Sequence, residues 1–152
     1  MRIIAGNFKG KKILEPKDIK TRPLKDLTKE SIFNIIKHSN KFKVSIENSA
    51  VLDLFSGVGS FGLECISRGA KHVTFIENYI GVLPILKKNL SNICNTENYE
   101  IVEKSILDGI VFIGEAKKFN IIFLDPPYKD KNLRKILLDI NKEKIIYKDT
   151  II

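Results

Sequence analysis

The stretch "VLDLFSGVGSFG", residues 51–62, carries the fold of this chain. Its first half is apolar and fits a strand over "AVLDLF", residues 50–55; its second half opens a helix expected from about Ser60 to Arg68. Between the two, Gly57, Gly59 and Gly62 satisfy G-x-G-x-x-G. Missing side chains at that junction let a ligand touch the backbone. On its own the pattern is weak, because it needs partners elsewhere in the same sheet.

Outward from that motif the same rhythm repeats. Further strands are expected at "HVTFIE" (72–77), "YEIV" (99–102) and "NIIFLD" (120–125). Helices should follow at about Gly81–Ile93, Ile106–Lys118 and Asp130–Ile140. Gly69 suits a left-handed helix end, and Pro84 is acceptable only in the first turn of its helix. Runs such as "IIFL" are apolar without alternation, which suits strands covered on both faces. The chain therefore reads as α/β, a doubly wound, mostly parallel sheet sandwiched by helices. Ahead of it, "MRIIAGNFKGKKIL" looks like a basic hairpin with Gly6 and Gly10 at its turns. A helix from Asp26, its expected cap, to about His38 has Leu27, Ile32, Phe33, Ile35 and Ile36 as its apolar side. The division expected is residues 1–44 for this basic extension and 45–152 for the sheet domain.

Composition bounds the function. The 152 residues are 43% hydrophobic, enough for one domain with its own core. No stretch approaches ~18 consecutive apolar residues, and the first residues do not read as a signal peptide, so the cytoplasm is the expected address and no membrane partner is expected. Cys65 and Cys94 lack ligand spacing and should be reduced and structural; with only His38 and His72 besides, no metal is expected. The net charge of +8 is localised: residues 1–44 hold twelve Lys and Arg against four acids, whereas the remainder is balanced. A cationic segment of that density neutralises phosphates and releases counterions, which points to a nucleic-acid partner.

Ligands of such sheets bind outside the carboxyl ends of the strands. Three of those ends carry unusual residues here. After the glycine loop, the second is Glu77, twenty residues beyond Gly57, where a carboxylate can accept hydrogen bonds from both hydroxyls of a ribose. Asp53 then decides which nucleoside cofactor fits. A dinucleotide would place its pyrophosphate against this loop, and a carboxylate four residues before Gly57 would repel it. S-adenosylmethionine carries a sulfonium and an ammonium instead, which the same carboxylate attracts. The plainer role for Asp53 is a strand-end acceptor for loop amides.

The third end is "DPPY", residues 125–128. A target amino group offers N–H donors, so its site wants acceptors and few competing donors, and proline has no N–H. Asp125, Pro126 and Pro127 present a carboxylate and carbonyls on a stiff segment, while Tyr128 offers a flat face for a base. Acceleration at such a site comes mostly from positioning and electrostatics.

"DLFSGVGSFG", "FIE" and "DPPY" together resemble class I S-adenosylmethionine-dependent methyltransferases that modify amines. With "RIIAGNFKGKKI" and "TRPLKDLTKESIFNII" added, the chain resembles the RsmD-type guanine-N2 methyltransferases of bacterial small-subunit ribosomal RNA along nearly its whole length. The resemblance implies a Rossmann-like fold and methylation of one guanine's exocyclic amine in an assembled or assembling ribosomal particle. It implies that Asp53, Phe55, Ser56, Gly57, Gly59 and Gly62 line the methionine end of the cofactor, that Glu77 holds the ribose, and that Asp125, Pro126, Pro127 and Tyr128 hold the target base. Ser105 stands where relatives commonly show Asp or Asn beside the adenine amine. Arg2, Lys9, Lys11, Lys12 and Arg22 would touch RNA phosphates.

Relatives of this type continue through a fifth strand and a closing hairpin, whereas "IIYKDTII" (145–152) reaches only the expected start of strand five. The final strands are therefore expected to be missing, leaving an exposed edge and uncovered apolar surface, with reduced stability or compensation by self-association. Two other functions share these motifs. A DNA adenine-N6 methyltransferase also uses "DPPY" but normally carries a target-recognition region for which there is no room. A non-catalytic RNA-binding or assembly protein would keep the motifs without turnover.

Overall fold

The computed structural model describes residues 1–16, 24–94, 98–110, 117–127 and 131–152. Its elements, in order, are α1 (Asp26–His38), β1 (Ala50–Leu54), α2 (Ser60–Ser67), β2 (His72–Ile76), α3 (Leu83–Ile93), β3 (Tyr99–Val102), a 3₁₀ turn (Ile106–Asp108), β4 (Phe119–Leu124), α4 (Leu133–Lys142) and β5 (Ile146–Ile151). The strands form one sheet in the order β3-β2-β1-β4-β5, and every pairing is parallel. Strand order reverses between β1 and β4, so the loops that follow those two strands diverge and open a crevice at their carboxyl ends.

Both faces of the sheet are buried, as the unbroken apolar runs require. On one face Val51, Val73, Phe75 and Ile121 pack with Leu63 of α2 and with Leu86 and Leu90 of α3. On the other, Leu52, Leu54, Ile76 and Ile122 pack with Ile136 and Ile140 of α4. The N-terminal extension shares the first of these cores through Ile3, Ile13, Phe33 and Ile36. Gly69 follows α2 with φ +92°, and Pro84 sits in the first turn of α3, as expected of each.

Residues 1–14 form the expected hairpin. Ile3 donates to the Lys11 carbonyl, Gly10 donates to the Ile3 carbonyl, and Arg2 bridges Lys12 in antiparallel fashion, with Gly6 and Gly10 at positive φ. It docks on α2 through Glu64, a fully buried carboxylate that accepts the amides of Ile4 (2.8 Å) and Ala5 (2.9 Å) and the guanidinium of Arg68 (2.8 Å). Lys29, also fully buried, stands 3.7 Å from Glu64 and donates to the Arg2 carbonyl. Burial lowers the Lys29 pKa, against the opposing pull of Glu64 and Asp26.

Four expectations change. Asp26 is the first residue of α1 rather than its cap; Lys25 holds that place without a side-chain bond, and Asp26 faces Lys29. Because Lys29 occupies the buried stripe, Leu27 and Ile35 are turned outward, 76% and 58% exposed. Of the helix expected over Ile106–Lys118, the first described residues form a three-residue 3₁₀ turn ended by Gly109 at φ +100°, and residues 111–116 lie outside the described ones. Finally, the expected start of a fifth strand is a strand of six residues. Its register against β4 jumps from Phe119↔Ile146 to Ile121↔Ile151, so Tyr147–Thr150 bulge outward. The Thr150 hydroxyl accepts the Tyr147 amide and donates to the Phe119 carbonyl, each over 2.7 Å. The edge expected to drive self-association is thus kinked rather than straight.

Candidate active site

The crevice is built from three loops. The first leaves β1 through Phe55 (φ +60°), Gly57 (φ +56°) and Gly59 (φ +83°), three left-handed residues within five. Glycine enters that conformation freely, whereas Phe55 does so at a cost of about 1–2 kcal/mol. Strain of this kind is held only where neighbours impose it. Ser56 imposes it here, since its amide and hydroxyl both donate to the Ile76 carbonyl, at 3.0 and 3.1 Å, and tie the loop to the end of β2.

The glycines differ in what they do. A β-carbon on Gly62 would lie 2.3 Å from the Phe75 ring, and one on Gly59 would lie 2.6 Å from a Leu86 methyl. Both are therefore fixed by helix–sheet packing, and Gly62 also donates its amide to Asp53 Oδ2 at 3.0 Å. Asp53 comes near the plainer role weighed for it, but the amide it accepts belongs to the first turn of α2 rather than to the loop, and its carboxyl stands in the crevice. It is 1% exposed, and its carboxyl pKa is raised to about 8 by burial, with Asp125 and Glu77 adding to the rise and the Gly62 amide opposing it.

Glu77, one residue past β2, accepts three amides: Gly57 at 2.7 Å, Asn78 at 2.9 Å and Tyr79 at 2.8 Å. A carboxylate has about four acceptor positions. One therefore remains for a ribose hydroxyl, where the sequence led us to expect room for two. On the third loop, past β4, Asp125 stands at the rim, and burial of its carboxyl raises its pKa. Pro126 and Pro127 follow it without donors; Tyr128 lies outside the described residues, as does Arg22. Ser105 caps the 3₁₀ turn after β3 by accepting the Leu107 amide at 3.2 Å, which leaves its hydroxyl proton free to donate.

Asp53, Glu77 and Asp125 thus converge at one end of the sheet, and none of the ion pairs among the described residues involves them. A group bearing positive charge fits this crevice electrostatically, and an anionic one does not. Two further features escaped the sequence reading. Ser60, inside the glycine motif, has a buried hydroxyl without a hydrogen-bond partner among the described residues, at the first position of α2. Phe123, two residues before Asp125, stacks on Phe61 at 3.9 Å, and Phe61 stacks on Phe33 at 5.1 Å, joining β4 to α1. The spacing of these rings in the sequence gives no hint of the column.

The basic residues are elsewhere. Arg2, Lys9, Lys11 and Lys12 are all exposed on the hairpin. The Asn7 amide donates to the Ser67 carbonyl, and the Phe8 amide donates to the Ser67 hydroxyl, at the last residue of α2. Lys11 Nζ donates to the carbonyl of Ile93, the last residue of α3. Both helices start at the carboxyl ends of the strands and return to their amino ends, so the turn of the hairpin lies at the base of the sheet.

The chain was compared with known proteins. The family model described as Conserved hypothetical protein 95 matches residues 1–152. The YlbH protein of Bacillus subtilis is 31% identical over 150 residues, which are 98% of this chain and 78% of that protein. Ribosomal RNA small subunit methyltransferase D of Haemophilus influenzae is 39% identical over 129 residues, 84% of this chain and 64% of that protein. Among solved structures, yhhF from Escherichia coli superposes with a TM-score of 0.77 at 28% identity, over 94% of this chain and 72% of that one.

Proposed function

Because the chain belongs to the Conserved hypothetical protein 95 family, the RsmD-type family, we propose that it is an S-adenosylmethionine-dependent methyltransferase acting on the exocyclic N2 amine of a guanine in small-subunit ribosomal RNA. The observation that carries this reading is the meeting of Asp53, Glu77 and the Asp125 loop at the point where strand order reverses. Three carboxyl groups with no cation beside them among the described residues favour a cationic cofactor, whose positive charge would also favour ionisation of Asp53, and a donor-poor Asp-Pro-Pro segment favours an amine as acceptor of the methyl group. When bound, S-adenosylmethionine supplies an electrophilic methyl on a sulfonium.

The residues of the chain do the rest by holding and excluding. Glu77, fixed by three amides, is positioned to accept a ribose hydroxyl. Asp53 supplies a buried carboxyl beside the glycine loop, protonated at neutral pH in the free chain and drawn toward ionisation by a cation placed next to it, and Ser60 supplies a buried hydroxyl at the start of α2. Asp125 accepts hydrogen bonds from the guanine amine, turns it toward the methyl group and draws its lone pair out of conjugation with the ring. Transfer would form the N–C bond as the methyl–sulfonium bond breaks to leave a neutral thioether, and the nitrogen would give up a proton; the raised pKa of Asp125 makes its carboxylate a competent first acceptor on the way to solvent. Pro126 and Pro127 present no N–H groups to compete for that lone pair.

The test is incubation with labelled cofactor and undermethylated small-subunit particles, followed by nucleoside analysis. We expect label in N2-methylguanosine. Label in N6-methyladenosine would move the chain to the adenine class, and absence of label would make it a binding protein.

A further inference from the structure

The docked hairpin has a consequence for the kind of RNA this chain takes, provided the reading above holds. Its turn and the reacting groups sit at opposite ends of the sheet. Ser67 and Ile93, where the turn attaches, close α2 and α3 at the base, whereas Gly57, Glu77 and Asp125 stand at the carboxyl ends. The five residues of β1 alone separate the two levels by roughly 17 Å. Within residues 1–14 there is no acid at all, and Arg2, Lys9, Lys11 and Lys12 are exposed.

Nor is the hairpin a swinging arm. Two of its amides end on buried Glu64, a third ends on the Ser67 hydroxyl, and a β-carbon on Gly6 would lie 1.8 Å from the Ser67 carbonyl, so the backbones are in direct contact. Gly10, between Lys9 and Lys11, has open space where a side chain would stand, which lets a sugar–phosphate backbone come close. The charge is therefore held at a fixed distance from the reacting end.

We propose that this turn is a fixed anchor for phosphates several nucleotides away from the target guanine. The substrate is then a folded RNA element that spans the flank made by α2 and α3, rather than a single strand threaded through the crevice. Phosphate contacts of this kind set register and carry no sequence information, so the anchor selects for shape.

The double variant Lys9→Ala with Lys12→Ala tests this with three substrates: undermethylated small-subunit particles, protein-free small-subunit RNA, and short guanine-containing oligoribonucleotides. We expect KM for the particles to rise about tenfold with kcat unchanged, and the salt slope of binding to protein-free RNA to fall by about 1.4–1.8 for two lost phosphates. Affinity for the short oligonucleotides should not change. An equal loss on the oligonucleotides would place the lysines beside the target and overturn the proposal, as would an unaltered KM and slope. A loss on particles without one on protein-free RNA would assign the turn to a ribosomal protein and also overturn it. Cys65 and Cys94 are buried, so Lys9→Cys offers one exposed thiol for a tethered cleavage reagent. Its cuts should fall away from the methylated nucleotide; cuts only at its immediate neighbours refute the anchor. If the unaltered chain methylates none of the three, the enzymatic reading fails, while the salt slope of binding still decides whether the turn holds phosphates.

Discussion

The Gly62 amide donates to Asp53 Oδ2 over 3.0 Å, and this bond is too little to keep the buried carboxyl ionised at neutral pH. The native chain holds the Asp53 proton up to about pH 8, whereas an unfolded chain releases it near pH 4. Between those values the unfolded state binds fewer protons, so stability should fall as pH rises, by on the order of a few kcal/mol across the window. Asp53→Asn removes that slope. Urea unfolding of both proteins at pH 5 and pH 8 checks it, and parallel pH dependence in the two would contradict the burial of a titrating group here.

In the proposed reaction Asp125 acts on the target amine, while Glu77 takes the ribose. Asp125→Ala should lower kcat by about 10²-fold or more while changing cofactor affinity little. Equilibrium binding and single-turnover transfer separate the two quantities. A large loss of cofactor binding with normal turnover at saturation would contradict the role given to this carboxylate.

Gly62 is a packing glycine as much as a cofactor-loop glycine. Gly62→Ala drives a methyl into the Phe75 ring and should cost about 1–3 kcal/mol of stability. Phe75→Leu in the same chain should recover part of that cost. A double-mutant cycle in urea measures the coupling, which should be near zero if the two do not touch.

Glu64 holds together groups from α2, α1 and the hairpin. Removing it by Glu64→Ala leaves Lys29 buried without its fully buried partner and should cost about 3–5 kcal/mol. Lys29→Met in the same chain should restore much of the loss, since the uncompensated charge goes with it. Thermal or urea unfolding of the three variants tests the order.

The sheet was legible because each strand is a short apolar run between punctuating residues, and local pattern suffices for that. The glycine loop, Glu77 and Asp125 were legible for the same reason: each follows directly on a strand. At the start of the helix expected from Ile106, Gly109 carried its own warning, since it ends the 3₁₀ turn at positive φ. Lys29 could not be read at all. A lysine at a buried position makes sense only with Glu64, thirty-five residues later, and its presence there turns Leu27 and Ile35 to solvent. The place of the hairpin was hidden likewise, since it depends on Gly6 meeting Ser67 across the fold. The reserve on Glu77 was also hidden, because main-chain amides fill acceptor positions that side-chain types do not reveal.

Thr150 gives the side of β5 away from β4 an unusual backbone. A polypeptide trying to extend the layer beyond β5 would find amides out of step over Tyr147–Thr150, with the amide of Tyr147 already engaged by the Thr150 hydroxyl. Any strand that pairs with β5 on that side, whatever its source, must accommodate the offset rather than continue a regular ladder. Thr150→Val, which deletes that hydroxyl, removes the bond that holds the offset in place.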